Sequence, residues 1–418
     1  ESADDANNDG IPDSDADLSD NDEIDSFDAT NEAIEITVTN ILPAGGVTGT
    51  LSGTTSSSDY SSDSHDYTLS YSEVGIISLT ASITNNGFLN SGEDAATTIT
   101  NVGRFTPDHF VVSLNAVNLQ DSLAACNITY QGQSVTLDND LSFTFSALDA
   151  NGDPVLNYAD SFNKFSTTGF SPTLTRTIAS SGSGFDPSVT WQSPVISDQN
   201  NYDGDWVVTM TPSAITYNKT NTTPVTSDLP FSAELNANLS ISQITDSDGI
   251  CVDSGSGCEA FVSTDISGAT IIYGVAFLKN TFQSELRDAQ VPVSLKIWAT
   301  QNSQSDFYTI ATDSCTTIDL TDFEFLSCNE NSGTWCNATY QSNLSAPHTW
   351  SNLTSGNGNV TIDAPGNNNT GKLTLRLNLP SYLQFNYYGA GVTSPSATID
   401  FGINNNSGSL IYMEDEYK

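Results

Sequence analysis

In several stretches of this chain apolar residues recur at every second position, in short runs bounded by Gly, Asn or Ser turns. The runs IEITVTNI (34–41), YTLSYSEVGIISLTASIT (67–84) and AATTITNV (95–102) set the pattern. A period of two sends alternate side chains to opposite faces, which is the mark of a strand with one face turned inward. No window combines helical apolar spacing with capping residues, so the chain is expected to be all-β, made of short antiparallel strands. The stretch NTFQSELRDA (280–289) fits either one helical turn or an irregular strand connection, and is read as the connection.

The 418 residues suffice for several cores, and 19 Phe, 15 Tyr and 5 Trp are available to fill them. Four regions are expected. Residues 1–30 form an acidic, Asp-rich segment with almost nothing to bury. Residues 31–103 form a small β-sandwich. Residues 104–239 form a second sandwich, with strands at HFVVSLNAV, QSVTLDNDLSFTFSALDA and DGDWVVTMTP and a turn at Asn151-Gly152-Asp153-Pro154. Residues 240–418 form a third, with strands at TIIYGVAFL, VPVSLKIWA, KLTLRLNL and GSLIYMEDEY. The fold class is therefore tandem antiparallel β-sandwiches of immunoglobulin-like type behind an acidic, calcium-repeat-like segment.

The 51 acidic residues outnumber the 10 basic ones, for a net charge of −41, and the first basic residue is Arg104. A field of that sign repels phosphate backbones and anionic lipid, so neither nucleic acid nor a membrane surface is an expected partner. No run of about 20 apolar residues is present, so direct membrane insertion is not expected either. The chain starts at Glu1 within the acidic segment and is expected to be a mature or trimmed product.

Six cysteines in an Asn/Ser/Thr-rich chain point to disulfides and an oxidising compartment. Cys251 and Cys258 enclose a Gly/Ser hairpin and are expected to pair. Cys126, Cys315, Cys328 and Cys336 are left to pair in some order; Cys328 and Cys336 flank NENSGTW, which fits another hairpin, and that choice would leave Cys126 with Cys315 as a long link. No Cys or His pair has zinc-finger spacing.

Calcium is the expected metal. In DANNDGIPD (5–13), oxygen-bearing side chains at alternating positions, Asp5, Asn7 and Asp9, can converge on one ion if the chain turns at Gly10. The Ile11 carbonyl and Asp13 would complete the shell. The pattern resembles thrombospondin type 3 repeats and departs from an EF-hand, since its twelfth position is Ala16. A second, less regular set begins at Asp15 and Asp17; a solvated acidic linker is the alternative for both. In TDSDGIC (245–251) a turn is the better reading of Asp246 and Asp248. His65, His109 and His348 lie in unrelated contexts with no nucleophile elbow, so they are read as surface histidines and no catalytic residue is assigned.

Several blocks occur in a fixed order: VGRFTPDHF (102–110), ITYQGQSVTLDNDLSFTFSALDANGDPVLNY (128–158), TDSDGIC (245–251), YGVAFLKNTFQSELRDAQVPVSLKIW (273–298), TDSC (312–315), APGNNNTGKLTLRLNLPSYL (364–383) and SATIDFGINNNSGSLIYMEDEY (396–417). From about residue 70 onward, this series resembles the C-terminal region of MshQ-like surface proteins from a pilus biogenesis locus of Gram-negative bacteria. The resemblance implies a β-rich, surface-exposed module with no transferable catalytic residue. Where that family often carries a lectin-like sandwich upstream, this chain has its acidic segment, so that domain gives no carbohydrate site to transfer, and a carbohydrate or other surface ligand stays open as a partner. The expected function is that of a secreted, non-catalytic, adhesin-like module of a bacterial cell surface or pilus, its ligand unnamed. The alternative is a structural subunit of a filament or surface layer, pairing with copies of itself through strand edges or terminal segments. Few Lys residues guard its edges.

Overall fold

The computed structural model describes residues 34–53, 56–57, 67–83, 96–176, 186–263, 266–342, 348–387, 389 and 391–402. Within them the chain is all-β, arranged in several largely antiparallel sheets. The one α-helical element among these residues is a single turn, α1 (Ala338–Ser342), where no helix was expected.

The N-terminal unit holds β1 (Ile34–Leu42), β2 (Leu51–Gly53), β3 (Ser56–Ser57), β4 (Leu69–Tyr71), β5 (Gly75–Ile83) and β6 (Ala96–Phe105). Four of them form a sheet in the order β3-β1-β5-β6, and β2 pairs with β4 apart from it. Alternation places Ile36, Val38, Leu79 and Ile99 on one face and Thr37, Thr80 and Thr98 on the other, as the pairs Val38–Leu79 and Leu79–Ile99 require.

The middle unit begins with β7 (His109–Leu114), β8 (Leu119–Gln120), β9 (Thr129–Tyr130), β10 (Ser134–Leu137) and β11 (Leu141–Leu148). It continues through β12 (Thr173–Arg176), β13 (Ser188–Trp191), β14 (Val195–Ser197), β15 (Asp205–Met210) and β16 (Pro212–Thr216). It closes with β17 (Phe231–Leu239), β18 (Phe261–Val262) and β19 (Ile266–Ile272). The orders β14-β15-β11-β7 and β13-β16-β10-β8 are opposed by β12-β17-β19-β9, with β18 also on β17. Strand β11 alternates strictly, burying Leu141, Phe143, Phe145 and Ala147. The fully buried Trp206 stacks on Phe145, with ring centroids 5.2 Å apart, and meets Phe110 edge-on.

The C-terminal unit holds β20 (Gly274–Leu278), β21 (Thr281–Gln283), β22 (Ala289–Gln301), β23 (Gln304–Thr309) and β24 (Phe323–Ser332). After α1 come β25 (Thr349–Trp350), β26 (Asn357–Ile362), β27 (Thr370–Leu377) and β28 (Ser396–Phe401). Sheet β20-β22-β26-β25, with β23 on β22, faces sheet β21-β28-β27-β24 across a separate core of Val291, Leu295, Leu375, Ile399 and their neighbours. The stretch 280–289 is a strand connection: β21 ends at Gln283, and a turn from Ser284 to Arg287 leads into β22.

The expected division at 239/240 is corrected. Residues 240–272 belong to the middle unit, because β18 and β19 hydrogen-bond to β17, and Ile244, Val252, Ile266 and Ile271 join the middle core. The passage to the C-terminal unit lies inside the single apolar run TIIYGVAFL, where one buried residue, Tyr273, separates β19 from β20.

Candidate functional site

A set of buried polar groups, Thr129, Gln131, Asp313 and Thr316, lies where that passage is made. Strand β9 pairs in parallel with the end of β19, matching Thr129 with Ile271 and Tyr130 with Ile272. This carries the Tyr130 ring across into the C-terminal core. Its hydroxyl donates to Asp313 Oδ2 at 2.5 Å. Asp313, fully buried, also accepts from Thr316 Oγ1 at 2.6 Å and from the amides of Cys315 and Thr316 at 2.9 Å. Burial pushes the Tyr130 phenol well above its ordinary value, and the Asp313 carboxylate adds to the shift, so the tyrosine is a fixed donor.

Next to Tyr130, Gly274 lets the two units approach. A Cβ at this position would stand 2.1 Å from two carbons of the Tyr130 ring. The loop after β16 supplies Lys219, whose Nζ donates to three carbonyl oxygens of the C-terminal unit: Gly274 at 2.8 Å, Tyr382 at 3.0 Å and Gln384 at 2.7 Å. The same nitrogen lies 4.3 Å from the Tyr273 ring centroid. Burial lowers its pKa to about 7, with Asp228 pulling weakly the other way. The Cys126–Cys315 disulfide then spans the joint covalently.

A second clasp fastens the N-terminal unit, at Val47 and Glu73, to the loop after β11. Glu73 accepts from the amides of Leu156 at 2.8 Å and Asn157 at 3.1 Å, while Asn157 bonds both the amide and the carbonyl of Val47. Burial raises the pKa of the Glu73 carboxyl. Arg104 pairs with Asp248, which holds that carboxyl below its usual range.

The loop TDSDGIC is the turn expected. Asp246 accepts from the amides of Asp248 and Ile250, its Oδ2 takes the Tyr158 hydroxyl at 2.6 Å, and Gly249 has φ +90°. With Asp248 engaged by Arg104, these carboxylates are committed to protein donors. TDSC repeats the device: in each loop a buried Asp takes a buried tyrosine hydroxyl, just before a disulfide cysteine. This shared tripeptide was the available signal for Asp313 and its Tyr130 partner, neither of which the sequence reading singled out.

The six cysteines pair as Cys126–Cys315, Cys251–Cys258 and Cys328–Cys336, the arrangement expected. The candidate calcium ligands Asp5, Asn7, Asp9, Ile11, Asp13, Asp15 and Asp17 lie outside the described residues, as do His65 and the GSLIYMEDEY run. Among the described residues no group of three or more His, Cys, Asp or Glu is placed to hold a metal ion, and no helix is long and apolar enough to cross a membrane. The reading of His348 as a surface residue is corrected. It is buried against Phe325 and Tyr340, its Nδ1 accepts from the Asp363 amide at 3.1 Å, and burial lowers its pKa. His109 is partly exposed, 2.9 Å from its neighbour Asp108.

Residues 73–266 match the family model described as DUF6701, third domain, and residues 272–415 match DUF6701, fourth domain. The interval between the two matches, residues 267–271, lies within β19. No curated protein matches the chain. Among solved structures, the titin domains z1z2 in complex with telethonin align over 70% of this chain and 96% of that one, at 9% identity and a TM-score of 0.18, too low to carry an argument.

Proposed function

The chain belongs to the DUF6701 family through that family's third and fourth domains, and we propose that it serves as a non-catalytic, extracellular module of a bacterial cell surface or pilus, adhesin-like in role. The observation that carries this reading is the joint. A disulfide, a buried Tyr–Asp bond and a three-carbonyl lysine clasp hold two cores in one arrangement, which suits a part whose work is to present surfaces at a fixed spacing. Three disulfides support an oxidising compartment outside the cytoplasm. Opposed, largely antiparallel sheets around each core support the finer reading of immunoglobulin-like sandwiches in tandem.

Calcium at Asp5, Asn7, Asp9, the Ile11 carbonyl and Asp13 belongs to the same proposal, as a cation that stiffens the acidic segment ahead of the first sheet. Antibody labelling of intact source cells tests the placement. Surface labelling with no free thiol is expected; label seen only after permeabilisation, on chains with free thiols, would overturn it. The second reading, a subunit that assembles through strand edges, is favoured by the outer side of β6, which no strand among the described residues pairs.

A further inference from the structure

Strand β6 is the last strand of its sheet. It bonds β5 along one side, and no strand among the described residues pairs with the other. Residues 96–101 are exposed, and Ile99, 62% exposed, is among the most exposed large apolar residues in the molecule. The stretch AATTITNVG (95–103) contains no charge, in a chain of net −41, and neither Lys nor Pro blunts it. Its straight part ends at Asn101, where φ of +61° and a register shift against β5 mark a bulge.

We propose that β6 pairs with β6 of a second copy of this chain, antiparallel about a two-fold axis at Ile99. Two four-stranded sheets then become one of eight. The register follows from the rows already present. The apolar row Val38–Leu79–Ile99 crosses three strands and stops at the exposed isoleucine. Setting Ile99 against Ile99 continues that row into the second copy and buries both side chains. It also sets Thr98 opposite Thr100 on the other face, where Thr80 and Thr98 already share a hydroxyl bond of 2.9 Å.

A second copy is the occupant because it brings an equally uncharged, β-branched strand. A basic partner would be drawn to the acidic surfaces instead. The arrangement is self-complementary and closed, the commonest form of homo-oligomer. It deepens the second reading given under Proposed function and rests on it, naming the edge through which copies meet.

The test uses the full chain with its disulfides intact. Sedimentation should show a dimer that tightens at least about threefold between about 0.05 M and about 0.5 M NaCl, because salt screens two strongly acidic bodies while the contact itself carries no charge. Ile99→Lys should be monomeric where the wild type is dimeric, with unchanged circular dichroism. Ile99→Cys should oxidise to a covalent dimer joined through the two introduced thiols, the cross-link located by peptide mapping. Val195→Cys, at an equally exposed position on edge strand β14, should not. A wild-type dimer whose Ile99→Cys variant forms no such cross-link, or one that survives Ile99→Lys, would remove β6 and leave assembly through another surface. A wild type that stays monomeric at every salt concentration would refute the pairing and the assembly reading together, whether β6 then accepts some other peptide or nothing.

Discussion

Cutting the Cys126–Cys315 link should cost more than cutting either of the other disulfides, by an amount that follows from chain separation. The paired residues stand 189 apart in this bridge, against 7 and 8 in Cys251–Cys258 and Cys328–Cys336. In the chain-entropy account, a cross-link stabilises by removing conformations from the unfolded state, as the logarithm of the loop it closes. That gives about 5 kcal/mol for the long bridge and about 2.5 kcal/mol for each short one at 25 °C. Cys126→Ser with Cys315→Ser should therefore lower the melting temperature by about 10–20 °C, at about 2–4 °C per kcal/mol for units of this size. The matching pair of serines at 251 and 258 should lower it by about half as much. Urea unfolding followed by tryptophan fluorescence gives the comparison, since Trp206 reports the middle core and Trp335 the C-terminal one. The wild type should unfold with the two cores coupled, and the 126/315 variant with two separable transitions. If removing the long bridge costs no more than removing a short one, the bridge is not restraining the unfolded chain and the reasoning fails.

Tyr130→Phe should destabilise by about 1.5–3 kcal/mol, because Asp313 keeps its buried carboxylate and loses one donor; Tyr158→Phe should cost Asp246 a similar amount, and near-zero values at both sites in denaturant titrations would refute the paired-knot account. Lys219, with a folded pKa of about 7 against 10.5 for the free side chain, makes the folded chain release a proton that the unfolded chain still holds. Stability should therefore rise with pH between about 7 and 10.5, with this contribution flat below pH 7, and Lys219→Met should flatten that slope; equal slopes in the two proteins would discard the assignment. Calcium should protect residues 1–30 from protease and chelator should expose them, and identical cleavage under both conditions, or unchanged calcium binding after Asp5→Ala with Asp9→Ala, would dispose of the calcium site.

Period-two alternation located many of the longer strands, since burying one face of a sheet leaves that pattern in the sequence, but it passed over others such as β17, β24 and β26. Among those it located, QSVTLDNDLSFTFSALDA holds β10 and β11, and VPVSLKIWA lies within β22. The joint was not legible in the same way. TIIYGVAFL looks like one buried strand because every residue from Ile271 to Ala276 is buried, but the burial comes from two cores in succession. The sign of the change was Gly274, a glycine inside an apolar run, where backbone or ring comes too close for a side chain. Lys219 left no local sign, because its three acceptors are main-chain carbonyls far away along the sequence. His348 gave none either, because its burial depends on Phe325 and Tyr340 arriving from other elements.

The long bridge also decides what happens when the molecule is pulled by its ends. Strands β9 to β23 all lie between Cys126 and Cys315, so traction enters through β1 to β8, crosses the sulfur bond and leaves through β24 to β28. Most of the middle core and a smaller part of the C-terminal one are shunted out of the line of force. A separation of 189 residues corresponds to about 650 Å of extended chain. None of that slack can be released while the bond holds, and all of it becomes available on reduction. The same molecule is a short, stiff tether under oxidising conditions and a long, compliant one under reducing conditions.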